Sequence, residues 1–104
     1  AVGGFDEDFF LYYEETEMCF RLNKLGYKII WNPNTSIIHY IGASGKKEDG
    51  INYWILEQLQ KSKILYYKKC HGNAAASIAK YITFPKALIK YRKFDMRKIF
   101  RIFF

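Results

Sequence analysis

The sequence is poor in residues that cross-link chains, bind metals or interrupt regular structure: its 104 residues include two cysteines, two histidines and two prolines. Cys19 and Cys70 lack the close spacing of a metal-binding pair, which argues against a cysteine-based zinc site. A single disulfide between them stays open, but a reduced, cytoplasmic chain is the simpler interpretation. No run of 18 apolar residues occurs, so the sequence predicts no membrane-spanning helix.

Half of the residues are hydrophobic and 19% are aromatic, a composition typical of one small folded domain. Charge is divided unevenly along this domain. Residues 1–59 carry five Lys/Arg and nine Asp/Glu, whereas residues 60–104 carry twelve Lys/Arg and one acid. The net charges are therefore −4 and +11. A basic half of this kind indicates a polyanionic partner, either nucleic acid or an anionic membrane surface.

The first half of the chain predicts one helix followed by short strands. Apolar residues recur at helical spacing over residues 14–25, so we expect a helix there that ends at Gly26. Two β-rich runs follow, at residues 27–31 and 36–41, with the turn signal Asn-Pro-Asn between them. A loop is expected over residues 42–50.

The second half of the chain predicts helices. Residues 51–70 have helical periodicity, and a break follows at His-Gly-Asn. A second helix is expected over residues 73–84, ending at Pro85 because proline cannot continue the hydrogen-bond ladder. Residues 86–104 mix Lys/Arg with apolar residues and predict a basic amphipathic helix. We therefore predict an α/β chain, α+β as a fragment, divided at residue 50.

Three carboxylates, Glu14, Glu15 and Glu17, lie within four positions, directly after an aromatic run. One acid in the first turn of a helix is commonly a partner of the helix dipole. Crowded acids beside aromatic rings also suit a site where a proton acceptor is needed, since burial raises a carboxylate pKa. His39 ends a predicted strand, where loops often carry function, and an imidazole near carboxylates suits a divalent cation.

The order of these features resembles the C-terminal half of the catalytic domain of family 2 glycosyltransferases, in particular the rhamnosyl- and galactofuranosyl-transferase-like enzymes of bacterial cell-surface polysaccharides. The pattern there is GGFDE-x-FF-x-Y-x-ED-x-D-L-x-x-R, then GY, a strand, Pro, a strand and H-x-x-G-x-S. The segment GGFDEDFFLYYEETEMCFRLNKLGYKIIWNPNTSIIHYIGAS follows this order over about the first 45 residues. The matching positions are Gly3, Gly4, Phe5, Asp6, Glu7, Phe9, Phe10, Tyr12, Glu14, Arg21, Gly26, Tyr27, Pro33, His39, Gly42 and Ser44.

The resemblance implies a fold and a reaction. The fold is the C-terminal part of a GT-A domain over residues 1–50, followed by a helical basic tail over residues 51–104. The reaction is inverting transfer of a sugar from a nucleotide-sugar donor to a cell-surface polysaccharide or lipid-linked acceptor. The resemblance also implies that the D-x-D motif and the nucleotide-binding half precede Ala1. We therefore expect a fragment that is inactive alone and self-associates through strand edges.

The resemblance also implies roles for individual residues. Glu15 takes the position of the general base, with Glu in place of the family's Asp. Gly4, Glu14 and Glu17 take substrate-binding positions, and Glu17 again replaces an Asp. His39 takes the position of a metal ligand, for Mg²⁺ or Mn²⁺, with part of that site outside this chain.

A non-catalytic binding module is the alternative function. Residues 86–104 interleave aromatics with cations, as nucleic-acid-binding segments do. Their apolar residues recur at helical spacing, however, which favours a membrane surface or packing against another domain over nucleic acid. For a bacterial glycosyltransferase we expect a cytoplasmic location, with peripheral contact at the inner face of the cell membrane through this segment.

Overall fold

The computed structural model describes residues 2–40 and 52–104, and in these ranges it contains helices and no strands. The helices are α1 (Glu14–Lys24), α2 (Tyr53–His71), α3 (Asn73–Lys90) and α4 (Met96–Phe103). The part of the chain that is described is thus a small helical domain, and the predicted α/β class is wrong. None of its helices is long and apolar enough to cross a membrane.

The two predicted strands are the reason for this error. Residues 27–31 and 36–40 are irregular and exposed, and Trp31 and Ile37 have 83% and 90% of their surface accessible. The turn between the runs is formed, with the backbone N–H of Asn34 donating to the Asn32 side chain over 3.0 Å. A β-rich run becomes a strand only when another backbone satisfies its N–H and C=O groups. Residue 41 and the predicted loop at 42–50 lie outside the described residues.

Helices α2 and α3 pack against each other and are connected by one residue, Gly72. The side chain of Asn52 caps α2 by accepting a hydrogen bond from the Ile55 N–H over 3.0 Å. Gly72 then separates the two helices with φ of 91°, a conformation that favours glycine. The predicted break at His-Gly-Asn is therefore confirmed.

Helix α3 continues past Pro85 to Lys90, so the predicted end of this helix is wrong. Proline removes one backbone donor, but Pro85 lies on the exposed side of α3, where water can bond to the orphaned carbonyl. Packing of the opposite side of α3 against α2 and α4 holds the helix together on both sides of the proline.

Helix α4 closes the hydrophobic core. Ile99 is completely buried, and Phe103 and Ala87 are almost so, in a cluster shared by α4, α3 and α2. Asp95 fixes the start of α4, because its side chain accepts from the Arg97 N–H over 3.0 Å. Residues 86–104 are therefore not one amphipathic helix: they contain the end of α3, a turn, and an α4 whose apolar side faces inward.

Helix α1 packs on the C-terminal end of α2 through aromatic rings. The ring centroids of Tyr13 and Tyr66 are 5.5 Å apart, and those of Phe20 and His71 are 5.1 Å apart. Offset and edge-on pairs of this kind contribute beyond the area that they bury. They bring the acidic first turn of α1 close to the basic half of the chain.

Candidate functional site

The candidate site is built on α1 and on the N-terminal loop, which we define as residues 2–13. This loop has little regular structure but is fastened to both neighbouring helices. Arg21 of α1 donates to the carbonyl oxygens of Val2 and Gly4, the second over 2.7 Å. Ser62 of α2 donates its hydroxyl to the Leu11 carbonyl over 2.6 Å. The loop is therefore positioned by side chains on α1 and α2.

Glu17 is the buried carboxylate of the site, with only 4% of its surface exposed. Its Oε1 accepts a hydrogen bond from Arg21 Nε over 2.7 Å, which is a salt bridge across one turn of α1. This hydrogen bond raises the pKa of Arg21. The second oxygen of Glu17 is buried and has no hydrogen-bond partner in the described residues. Glu17 thus holds the arginine that fastens the N-terminal loop.

The three first-turn acids differ in exposure. Glu14, three positions before Glu17, shares its side of α1, is half-buried and also has a buried oxygen without a partner among the described groups. Glu15 points away from that side and is exposed. Adjacent residues of a helix diverge by about 100°, so the helix itself separates Glu15 from its neighbours. Of the three, Glu15 is the carboxylate that a ligand can reach.

The backbone that leads into α1 is strained. Tyr12 and Tyr13 both have φ of 67°, in the left-handed region that residues with large side chains rarely occupy. Tyr13 is held there by its ring contact with Tyr66, and its burial raises the pKa of its hydroxyl. Two successive left-handed residues turn the chain sharply, which sets the direction in which the first-turn acids project.

A second acidic pair, Asp6 and Asp8, was not singled out from the sequence. Lys69 of α2 bonds to both carboxylates, to Asp6 over 2.6 Å. The hydrogen bond from Lys69 lowers the pKa of Asp6, and the two carboxylates together raise the pKa of Lys69. The two acids have the literal D-x-D spacing, but in the described structure their oxygens are directed at an ammonium group. The sequence contains a signal for this pairing: acids alternate at positions 6 and 8, and the predicted helix over residues 51–70 is rich in lysine.

Gly4 and His39 complete the predicted set. Gly4 has φ of 79° and is exposed, and a Cβ added there would meet no atom within 4 Å. A glycine is favoured at this position by its backbone conformation, with no need for close approach by a neighbouring group. His39 is exposed in the irregular segment after α1, whereas the acids lie at the start of α1.

The metal site implied by the resemblance is not formed by the described residues alone. Within residues 2–40 and 52–104, no group of three His, Cys, Asp or Glu side chains is arranged to hold an ion. Cys19 and Cys70 are free thiols, and burial, followed by the charge of Glu17, raises the pKa of Cys70. The two thiols are therefore not cross-linked, and the raised pKa of Cys70 disfavours its thiolate form.

An open groove of about 570 Å³ lies away from these acids, between the start of α2 and α4. Its lining combines aromatic rings with cations, and Lys98 lies over the ring of Tyr53 at 4.7 Å. No residue predicted from the sequence as a site residue lines this groove. The predicted site therefore lies outside this groove. Its accessible part is the surface around the exposed Glu15, where the N-terminal loop joins α1.

Comparisons with known proteins leave the family of this chain open. No protein-family model matches it, and neither does any curated protein or solved structure.

Proposed function

We propose that this chain is the acceptor-side part of an inverting glycosyltransferase. The enzyme would transfer a sugar from a nucleotide-sugar donor to a polysaccharide or lipid-linked acceptor. The support is the ordered motif resemblance over residues 3–44, together with an N-terminal loop that Arg21 fastens to the acidic start of α1. In this proposal the nucleotide-binding half belongs to a preceding part of the parent enzyme.

Glu15 is the general base in this mechanism. Its exposure carries the assignment: Glu17 is buried and bonded to Arg21, whereas Glu15 is open to an incoming hydroxyl. As the acceptor oxygen bonds to the anomeric carbon, the carboxylate takes the hydroxyl proton. The bond from that carbon to the nucleotide phosphate breaks at the same time, and its electron pair leaves with the diphosphate. A positioned carboxylate contributes about 10²–10⁴-fold to such a step.

Glu14, Glu17 and Gly4 act as positioning groups. The Glu17–Arg21 salt bridge fixes the carbonyl of Gly4, so the loop and the base keep a constant relation. Glu14 is half-buried on the same side of α1 as Glu17, so its proposed contribution is to support the first turn from which Glu15 projects. Mg²⁺ or Mn²⁺ stays part of the proposal, with His39 as a candidate ligand, and no step is derived through the ion.

The exposed segments after α1 support the fragment interpretation. Residues 27–31 and 36–40 carry large apolar side chains that face solvent over most of their surface. Exposed β-rich segments are templates for pairing with another backbone. Such exposed apolar segments favour self-association of the chain.

Substitution in the parent enzyme tests the base. We expect Glu15→Gln to lower kcat by about 10²–10⁴-fold, with donor binding unchanged. Glu57→Gln is the control, because Glu57 lies on α2 outside the motif, in an exposed salt bridge with Lys61, and should leave kcat near that of the unmodified enzyme. Near-normal turnover by Glu15→Gln, with donor binding intact, would show that the base is another group.

A further inference from the structure

The outer face of α3 is an exposed apolar stripe. We define this face by the five residues at positions i, i+3, i+4, i+7 and i+11 from residue 78: Ile78, Tyr81, Ile82, Pro85 and Ile89. Their spacing puts them on one side of the helix. Ile78, Tyr81 and Ile89 are 57%, 66% and 73% exposed. The opposite side buries small residues against α2 and α4, so α3 is apolar on both sides.

Exposed cations lie beside the C-terminal part of the outer face. Residues 73–94 contain five Lys/Arg and no Asp or Glu. Lys86 and Lys90 are exposed in the last turns of α3, and Arg92 and Lys93 are exposed in the turn that follows. Burial, followed by the positive charge of Lys90, lowers the pKa of Lys63. The second effect is expected where two cations lie close together. A partner that covers this face must therefore bring negative charge.

Helix α4 cannot serve as the apolar anchor in this fold, although its residues gave the amphipathic signal in the sequence. Ile99 and Phe103, the centre of its apolar side, are buried in the core. An interfacial helix needs an accessible apolar side with cations at its border, so that the side chains enter the acyl boundary and the charges meet the headgroups. The outer face of α3 has both features, and α3 extends over 18 residues.

We propose that the outer face of α3 docks on an anionic lipid bilayer, with its isoleucines at the acyl boundary and Lys86, Lys90, Arg92 and Lys93 at the headgroups. Charge complementarity carries the choice of a lipid surface, since four exposed cations lie at the C-terminal end of the face and the one acid next to them in the sequence is Asp95. The ammonium group of Lys90 lies 5.3 Å from the centroid of the Tyr91 ring, a cation–π contact, and the residue is exposed at the end of α3. This proposal does not depend on the glycosyl-transfer proposal.

Vesicle co-sedimentation of the 104-residue chain tests this docking. We expect binding to vesicles that contain phosphatidylglycerol and little binding to phosphatidylcholine alone. Each isoleucine removed should weaken binding by at least about tenfold, so the double variant Ile82→Ser/Ile89→Ser should bind at least about 100-fold more weakly. The matched control is Ile37→Ser/Ile38→Ser, which removes two isoleucines outside α3 that are more exposed than Ile82 and Ile89, and it should bind as the unmodified chain does.

The charge term is tested separately. Lys86→Gln and Lys93→Gln should each weaken binding about fivefold, and added salt should remove that difference. Circular dichroism of every variant checks that the helices are retained. Equal binding to neutral vesicles, or equal losses in the α3 variant and its control, would overturn the proposal. So would an outer-face variant that abolishes self-association in the absence of lipid, because a second copy would then be the occupant.

Discussion

The burial of Ile99 makes the docking of α4 a quantitative prediction. Ile99 has no exposed surface, and Ile99→Ala removes the equivalent of three carbon groups from the core. At about 0.8 kcal/mol for each group, the lost transfer free energy is about 2.4 kcal/mol. The cavity left behind adds to this, so the free energy of unfolding should fall by about 3–4 kcal/mol. With a urea dependence of about 1.5 kcal/mol per molar, the unfolding midpoint should fall by about 2–2.7 M.

Urea denaturation followed by far-ultraviolet circular dichroism measures this midpoint. Ile89→Ala is the matched control, because it is the same substitution at a helical position that is 73% exposed. It should change the free energy of unfolding by no more than about 0.5 kcal/mol. If Ile99→Ala and Ile89→Ala shift the midpoint equally, α4 is not packed against α2 and α3, and the assignment of the membrane-facing side to α3 loses its main argument.

Two further predictions concern the N-terminal loop and the α2–α3 connection. Lys69 lowers the pKa of Asp6, so this pairing stabilises the fold above the ordinary carboxyl pKa of 3.8, and the stabilisation is lost as the pH falls below that value. In a plot of urea midpoint against pH, Lys69→Met should therefore flatten the decrease at acidic pH. An unchanged decrease would contradict the pairing. Gly72→Ala should lower the unfolding free energy by about 1–3 kcal/mol through backbone strain alone, since its Cβ meets no atom within 4 Å. Thermal melting checks the second prediction, and an unchanged melting temperature would mean that Gly72 does not need its left-handed conformation.

Features that depend on neighbouring residues could be predicted from the sequence. Helix α1 begins at Glu14 as expected and ends at Lys24, one residue before the predicted end. Gly26 has the positive φ, 86°, of a residue that follows a helix. The break between α2 and α3 also comes from a local signal, the glycine of His-Gly-Asn. Each of these depends on backbone preferences within a few positions, so periodicity and single glycines are sufficient evidence.

Features that depend on distant residues could not be predicted. Residues 27–31 have the composition of a strand, but pairing requires a second backbone, and composition does not reveal whether one is present. The salt bridge between Lys69 and Asp6 joins groups 63 positions apart. The left-handed Tyr12 and Tyr13 are also invisible in sequence, because nothing in a tyrosine pair favours that conformation. The exposure of the outer face of α3 also depends on distant residues, because it is set by the side of α3 that packs against α2 and α4.

The acidic first turn of α1 is more than a partner for the helix dipole. A dipole is satisfied by exposed acids, whereas a buried carboxylate such as Glu17 is costly unless a cation and hydrogen bonds accompany it. Arg21 supplies the cation and one hydrogen bond, to Oε1 of Glu17, and two of its other N–H groups bond to the carbonyls of Val2 and Gly4. The cluster therefore has two parts: one acid fixes the loop through an arginine, and Glu15 stays accessible one position away. The general base that we propose at Glu15 needs this combination of a rigid support and an open carboxylate.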